Sequence, residues 1–214
     1  MKRLLTLMLT AALSLPVWAL DEAGQARLHT VQTRWAEIQY QLPEAQREAA
    51  LEKLAAESAA FTREQPQAAE AWVWHGIVTS SWAGAQGGLG ALGKAKDAKA
   101  YLEKAIALDP AALQGSAYTS LGTLYDRVPG WPIGFGDEDK ADQLLRQALQ
   151  VNPEGIDSLY FWGDHLLRQG HYVEAKAALE KAKQAAPRPG RELADSGRQG
   201  EIDQLLLEVN KKLN

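Results

Sequence analysis

The stretches AKAYLEKAIALDP (residues 98–110), ADQLLRQALQVNP (141–153) and AKAALEKAKQAAP (175–187) decide the fold. Aligned on their prolines, Ala98, Ala141 and Ala175 each stand 12 residues before Pro110, Pro153 and Pro187. Ala105, Ala148 and Ala182 each stand 5 before. Leu54 and Phe61 hold the same offsets from Pro66, so a degenerate copy opens the series. Small residues at fixed helical spacing let neighbouring helices approach closely, and the proline ends the second helix of each pair. This spacing predicts an all-α solenoid of stacked antiparallel helix pairs, in which each pair buries its apolar face on its neighbours. No stretch reads as a strand.

Working outward, each block is preceded by a second periodic segment. Tyr118-x2-Leu121-Gly122-x2-Tyr125 comes before the second block, and Leu159-x2-Trp162-Gly163-x2-Leu166 before the third. The earliest copy opens with Trp72 and Gly76. Followed by Ala141-x3-Leu145 and Pro153, or Ala175-x3-Leu179 and Pro187, these segments resemble the tetratricopeptide repeat over roughly residues 44–189. The pattern is W-x2-L-G-x2-Y, then A-x3-F, then P, with Tyr118 standing where the family has Trp.

The chain divides into a signal segment (1–19), an N-terminal helix pair (20–66), three repeats (67–189) and a C-terminal capping helix (190–214). Leu28, Val31, Trp35 and Ile38 give residues 25–40 one apolar stripe, with a partner helix over 44–62. Ile202, Leu205, Leu206 and Val209 give the last helix a stripe that would cover the open end of the stack.

Lys2 and Arg3, the apolar run Leu4–Leu15 and the site Val17-Trp18-Ala19 read as a secretory signal that leaves Leu20 or Asp21 first. The run is too short for the roughly 20 residues of a membrane span, so no stable membrane insertion is expected. The chain has no cysteine, which excludes disulfides, a thiolate zinc site, covalent haem, a cysteine nucleophile and a lipidated N-terminus together. Loss of Lys2 and Arg3 takes the formal charge from −4 to −6, against nucleic acid as a partner. The expected destination is the periplasm.

Insertions distinguish the copies. From helix-A glycine to final proline the distance is 24 in the last copy (187−163), 31 in the middle (153−122) and 34 in the first (110−76). With 24 as the plain length, the middle copy carries 7 extra residues and the first 10, both on the edge between first and second helices. Insertions on one edge often mark a binding face. The first insertion lies within residues 80–93, where Trp82, Gly87 and Gly88 either shape a contact or form a turn. The second lies within 128–140; Asp137 is placed to cap the following helix, while Trp131 and Phe135 either line a binding surface or pin the loop to the core.

Ala83-Gly84-x2-Gly87-Gly88-Leu89-Gly90, Pro129-Gly130-Trp131-Pro132-x-Gly134-Phe135-Gly136-Asp137 and Arg188-Pro189-Gly190-Arg191 together resemble a narrower group. These are exported repeat proteins related to the T component associated with tripartite ATP-independent (TRAP) solute transporters. That resemblance implies a periplasmic helical protein that meets a solute-binding protein and holds a small organic solute in a cavity.

Other signals dissolve on context. Residues 88–94 imitate G-x-G-x-x-G and most of a P-loop, but no strand precedes them and Ala95 stands where Ser or Thr should reach Mg²⁺. His75 replaces the usual helix-A leucine and should be packed and hydrogen-bonded, His171 sits at a turn, and His165 follows Asp164 without facing it. No metal, cofactor or catalytic set is expected. Among the aromatics, Trp74, Tyr160 and Phe161 fall off the repeat register and face either the core or the groove. The sequence therefore reads first as a non-catalytic adaptor that engages a partner protein, with capture of a small organic solute as the alternative, and with Arg188 and Arg191 as further candidate contacts. Its expected partner is a protein, such as a periplasmic solute-binding protein, or a small organic solute; a homo-oligomer is compatible with either.

Overall fold

The computed structural model describes residues 20–214, so the expected signal segment lies outside the described residues. Nine helices account for the described fold: α1 (Glu22–Tyr40), α2 (Glu44–Glu64), α3 (Ala69–Gln86), α4 (Ala91–Leu108), α5 (Ala112–Arg127), α6 (Glu138–Val151), α7 (Ile156–Arg168), α8 (Tyr172–Lys183) and α9 (Glu192–Leu213). Among the described residues there is no strand, and no helix is long and apolar enough to cross a membrane.

The recurring alanines explain the hairpins. Ala98, Ala105, Ala141, Ala148, Ala175 and Ala182 are all fully buried, as are Leu54 and Phe61 at the same offsets in the degenerate copy. Each helix-A glycine faces the leucine four residues after its repeat's first alanine. A Cβ on Gly76 would sit 2.6 Å from Leu102, on Gly122 2.8 Å from Leu145, and on Gly163 2.7 Å from Leu179. Glycine thus sets how closely each hairpin shuts. The leucine behind it, wholly withdrawn from water, contributes roughly 1.5–3 kcal/mol.

The odd-numbered helices form an inner layer and the even-numbered helices an outer one. Neighbouring inner helices touch along the series α1, α3, α5, α7, α9, and α9 also touches α1. The inner layer is therefore a closed ring of five helices. The C-terminal helix buries Ile202 and Val209 against α7 and α8, as its apolar stripe predicts, and on its other flank it meets α1. There Gly197 lies so close to the Tyr40 ring that a Cβ would fall 2.3 Å from it, and Gly190 lies beside His29. The trough expected from the repeats is a lumen.

The two insertions differ from their sequence reading in one respect. Most of the first is helix: α3 and α4 have 18 residues each, against 13 and 12 in α7 and α8, leaving only residues 87–90 as the turn. Alanines around Gly84 and Gly93 carry the helices through, at about 1 kcal/mol per glycine. Lys94 fastens the extended ends together, its ammonium 4.2 Å above the Trp82 ring and hydrogen-bonded to Gln86 at 2.7 Å. Gly87 and Gly88 shape the turn at φ 65° and 62°, in open space.

Candidate functional site

The lumen is built from side chains of all five inner helices. Its central compartment, about 280 Å³, is lined by Gln32 and Trp35 of α1, Trp74, Ile77 and Ser81 of α3, and Leu113, Gln114, Ser116, Thr119 and Ser120 of α5; Asp157, Phe161, Arg188, Arg191 and Arg198 complete the wall. A hollow of about 460 Å³ shares Trp35, Ser81, Phe161 and Arg198 with it and continues toward Tyr40, Arg47, Arg127 and Tyr160. Another, about 350 Å³, shares Gln114, Asp157 and Arg188 and runs between the α6–α7 turn and the α8–α9 connection.

One wall is aromatic. Trp35 donates from Nε1 to Ser81 Oγ at 2.9 Å and meets Trp74 edge to face, with centroids 5.8 Å apart. Phe161 of the same compartment and Tyr160 of the adjoining hollow form a second aromatic pair, edge to face at 4.9 Å. The guanidinium of Arg198 lies 4.2 Å from Tyr160 and 4.6 Å from Phe161, which suits a buried cation with aromatic neighbours.

The charges form a linked set. Asp157 accepts from Arg188 at 2.7 Å and Arg198 at 2.8 Å; Arg188 also pairs with Asp195, and Arg198 with Glu201. Burial alone would raise the Asp157 pKa, but Arg198 and Arg188 overrule it and hold the carboxyl down at about 2. Arg198 is displaced upward despite its burial, because Asp157 faces it. Arg191 differs from both: its guanidinium lies 5.0 Å above Trp74, and it has no ion pair among the described residues. Burial and the neighbouring Arg188 lower its pKa.

The backbone is strained at the same place. Leu113, Gln114 and Gly115 open α5 with φ of 47°, 56° and 75°, a left-handed turn that two of the three residues adopt at a cost. Both of the non-glycine residues line the lumen. Gly115 is needed twice over, since a Cβ there would also press on Val151 at 3.0 Å.

Of the residues singled out from sequence, Trp74, Phe161, Arg188 and Arg191 meet in the central compartment, and Tyr160 lines the adjoining hollow. Trp82 packs against the α1–α3 core under Lys94, and Gly87 and Gly88 lie at the distant α3–α4 turn. Trp131, Phe135 and Asp137 belong to the second loop. Asp137 caps α6, accepting from the Lys140 backbone at 2.9 Å. Phe135 meets Tyr125 edge to face at 5.3 Å, whereas Trp131 is 90 % exposed.

Sequence reasoning missed Trp35, Gln114, Asp157 and Arg198. Trp35 was legible only as part of an apolar stripe, and Arg198 acquires meaning only when α9 meets α1 and α7. It also missed the junction of α5 and α7, where His165 Nδ1 lies 2.8 Å from Asp126, Arg168 pairs with Asp126, and Arg127 pairs with Asp164. His75 is buried as expected, 2.8 Å from Ser58 and stacked on Tyr101 at 4.2 Å. Among the described residues no cluster of His, Asp or Glu is placed to hold a metal.

Comparison with known proteins agrees with this architecture. The tetratricopeptide repeat family model matches residues 89–111, which span α4 and the turn leading into it. A thermophilic TPR protein of Thermus thermophilus superposes with a TM-score of 0.58 at 19 % identity, covering 87 % of this chain and 85 % of its own. Two further structures are more distant. MamA gives 0.46 at 18 % identity (77 % and 89 % covered), and MamA residues 41 to the end from Desulfovibrio magneticus RS-1 gives 0.45 at 14 % (89 % and 98 %). No curated protein matches the chain in sequence. The protein is an all-α solenoid of the tetratricopeptide type, with a family-matching repeat segment at residues 89–111.

Proposed function

We propose that this is a non-catalytic, exported binding protein that holds a small organic molecule inside its ring. The observation that carries the reading is the contact of α9 with α1, which turns an open groove into a lumen ringed by five helices. An extended peptide lies along an open groove; a lumen with aromatic walls and a few convergent polar groups suits a compact solute. The resemblance to proteins associated with TRAP transporters points the same way. In this reading the chain is periplasmic and begins at Leu20 or Asp21, which the intact mass of the exported protein would check.

The test uses hydrocinnamate, indoleacetate, octanoate and their neutral amides, each titrated into the protein while tryptophan emission and thermal midpoint are followed. Saturable changes should appear with members of this panel and vanish in Ser120→Trp, which plugs the central compartment. A panel that moves neither signal, or binding that survives the plug, overturns the reading.

A second reading, binding of a protein partner, is favoured by the second loop. Trp131 and Ile133, 90 % and 58 % exposed, stand on a loop whose backbone is held by bonds from Gly136 N to Pro129 O and from Asp137 N to Tyr125 O, both 3.0 Å. A fixed, solvent-facing Trp is the side chain that most often anchors a protein interface. The two readings are compatible, since the loop and the lumen are separate surfaces.

A further inference from the structure

The lumen has more guanidinium than its own carboxylates can occupy. Asp157 bridges Arg188 and Arg198, and the remaining donors of those two turn to Asp195 and Glu201. Arg191 faces the same compartment, half-buried, with no side-chain acceptor among the described residues. A guanidinium withdrawn from water is ordinarily paired, because its charge is costly to leave without a partner. Its guanidinium carbon lies 5.0 Å from the Trp74 ring centroid, and its N–H donors stand in a fixed fork.

We propose that the ligand is an organic anion, a small monocarboxylate whose carboxylate seats on Arg191 and whose apolar body lies against Trp74, Trp35 and Phe161. This rests on the lumen being the binding site. A single unpaired guanidinium matches one planar carboxylate by two parallel hydrogen bonds. A phosphate dianion would demand further free cations, and Arg188 and Arg198 are taken. Gln32, Thr119 and Ser120, whose side chains make no hydrogen bond among the described residues, are left to meet a polar substituent on the body. The compartment of about 280 Å³ is continuous in its lining with the two adjoining hollows, so a compact aromatic or aliphatic body has room beside Arg191.

The experiment compares hydrocinnamate with hydrocinnamide, which share a body and differ in charge, by calorimetry and tryptophan emission on the full chain. The wild type should prefer the carboxylate at least tenfold. Arg191→Gln should bring the two within about twofold by weakening the carboxylate alone, and Arg191→Lys should restore part of the preference. A wild-type preference below about twofold, or one that survives Arg191→Gln, overturns the anion assignment and leaves the lumen reading in place. Failure of both probes to bind, while uncharged members of the wider panel do bind, likewise overturns the anion assignment. Failure of the whole panel removes the lumen reading itself.

Discussion

Two glycines three residues apart in α9 test whether the ring is closed. Gly197 and Gly200 are both interior helical positions, so replacing either with Ala should gain roughly 0.5–1 kcal/mol from backbone entropy and helix propensity. At Gly200 nothing lies within 4 Å of the added methyl, and that gain should appear in full. At Gly197 the methyl would sit 2.3, 2.4 and 2.5 Å from three carbons of the Tyr40 ring, which must retreat by about 1 Å to reach ordinary contact near 3.5 Å. Retreat disturbs the edge-to-face contact of Tyr40 with Trp35 at 5.9 Å and its hydrogen bond to Glu201 at 3.4 Å. Overpacking of this kind costs about 1–3 kcal/mol. The two variants should therefore differ by about that amount, equivalent to roughly 2–12 °C in thermal midpoint for a chain of this size. Thermal unfolding followed by circular dichroism, with amide exchange in α1 and α9, measures it. If Gly197→Ala proves as stabilising as Gly200→Ala, α1 does not rest on α9 and the ring is open.

Two further outcomes follow from the same geometry. His75 is held neutral, its pKa lowered to about 4 by burial first and by Arg63 second. The unfolded chain takes up that proton from about pH 6.5, so stability is full above that pH and declines by on the order of 3 kcal/mol as pH falls to about 4. His75→Leu, which restores the usual repeat residue, should flatten that slope in urea titrations at pH 7 and pH 4.5. In the second loop, Trp131→Ala should change stability by less than about 0.5 kcal/mol, because the ring faces water. Phe135→Ala should cost about 1–2 kcal/mol through the lost contact with Tyr125. Equal losses in the two thermal midpoints would contradict the placement of that loop.

The helix hairpins were legible because their signals are local. Ala98 and Ala105, with their later counterparts, recur at a period that only a helix can use, and Gly76 and Leu102 form one contact three times over. The lumen was legible only in part. Trp74 and Phe161 stood out as aromatics off the repeat register, and both line it. The closure could not be read, because the flank of α9 that performs it carries no apolar stripe. Ala194, Gly197, Arg198 and Glu201 share a face by helical spacing, yet that face consists of small and charged residues. Its meaning depends on Tyr40 and Asp157, which lie far away in sequence. The left-handed turn at Leu113 and Gln114 was equally hidden, since nothing in either residue type asks for positive φ.

Closure changes what a repeat array can recognise. In an open solenoid each repeat touches only its neighbours, the terminal helix turns a polar face to water, and the concave surface reads an extended chain along its length. Here the terminal helix is apolar toward α7 and α8, through Ile202 and Val209, and polar toward α1 and the lumen, through Arg198 and Glu201. That polar face is satisfied inside the molecule: Arg198 is 7 % exposed and bonded to Asp157 and Glu201. On the proposed reading, discrimination falls to volume and charge rather than to a string of side-chain pockets. In that reading Trp35, Trp74 and Phe161 set the first, and Arg191, which has no carboxylate partner among the described residues, sets the second.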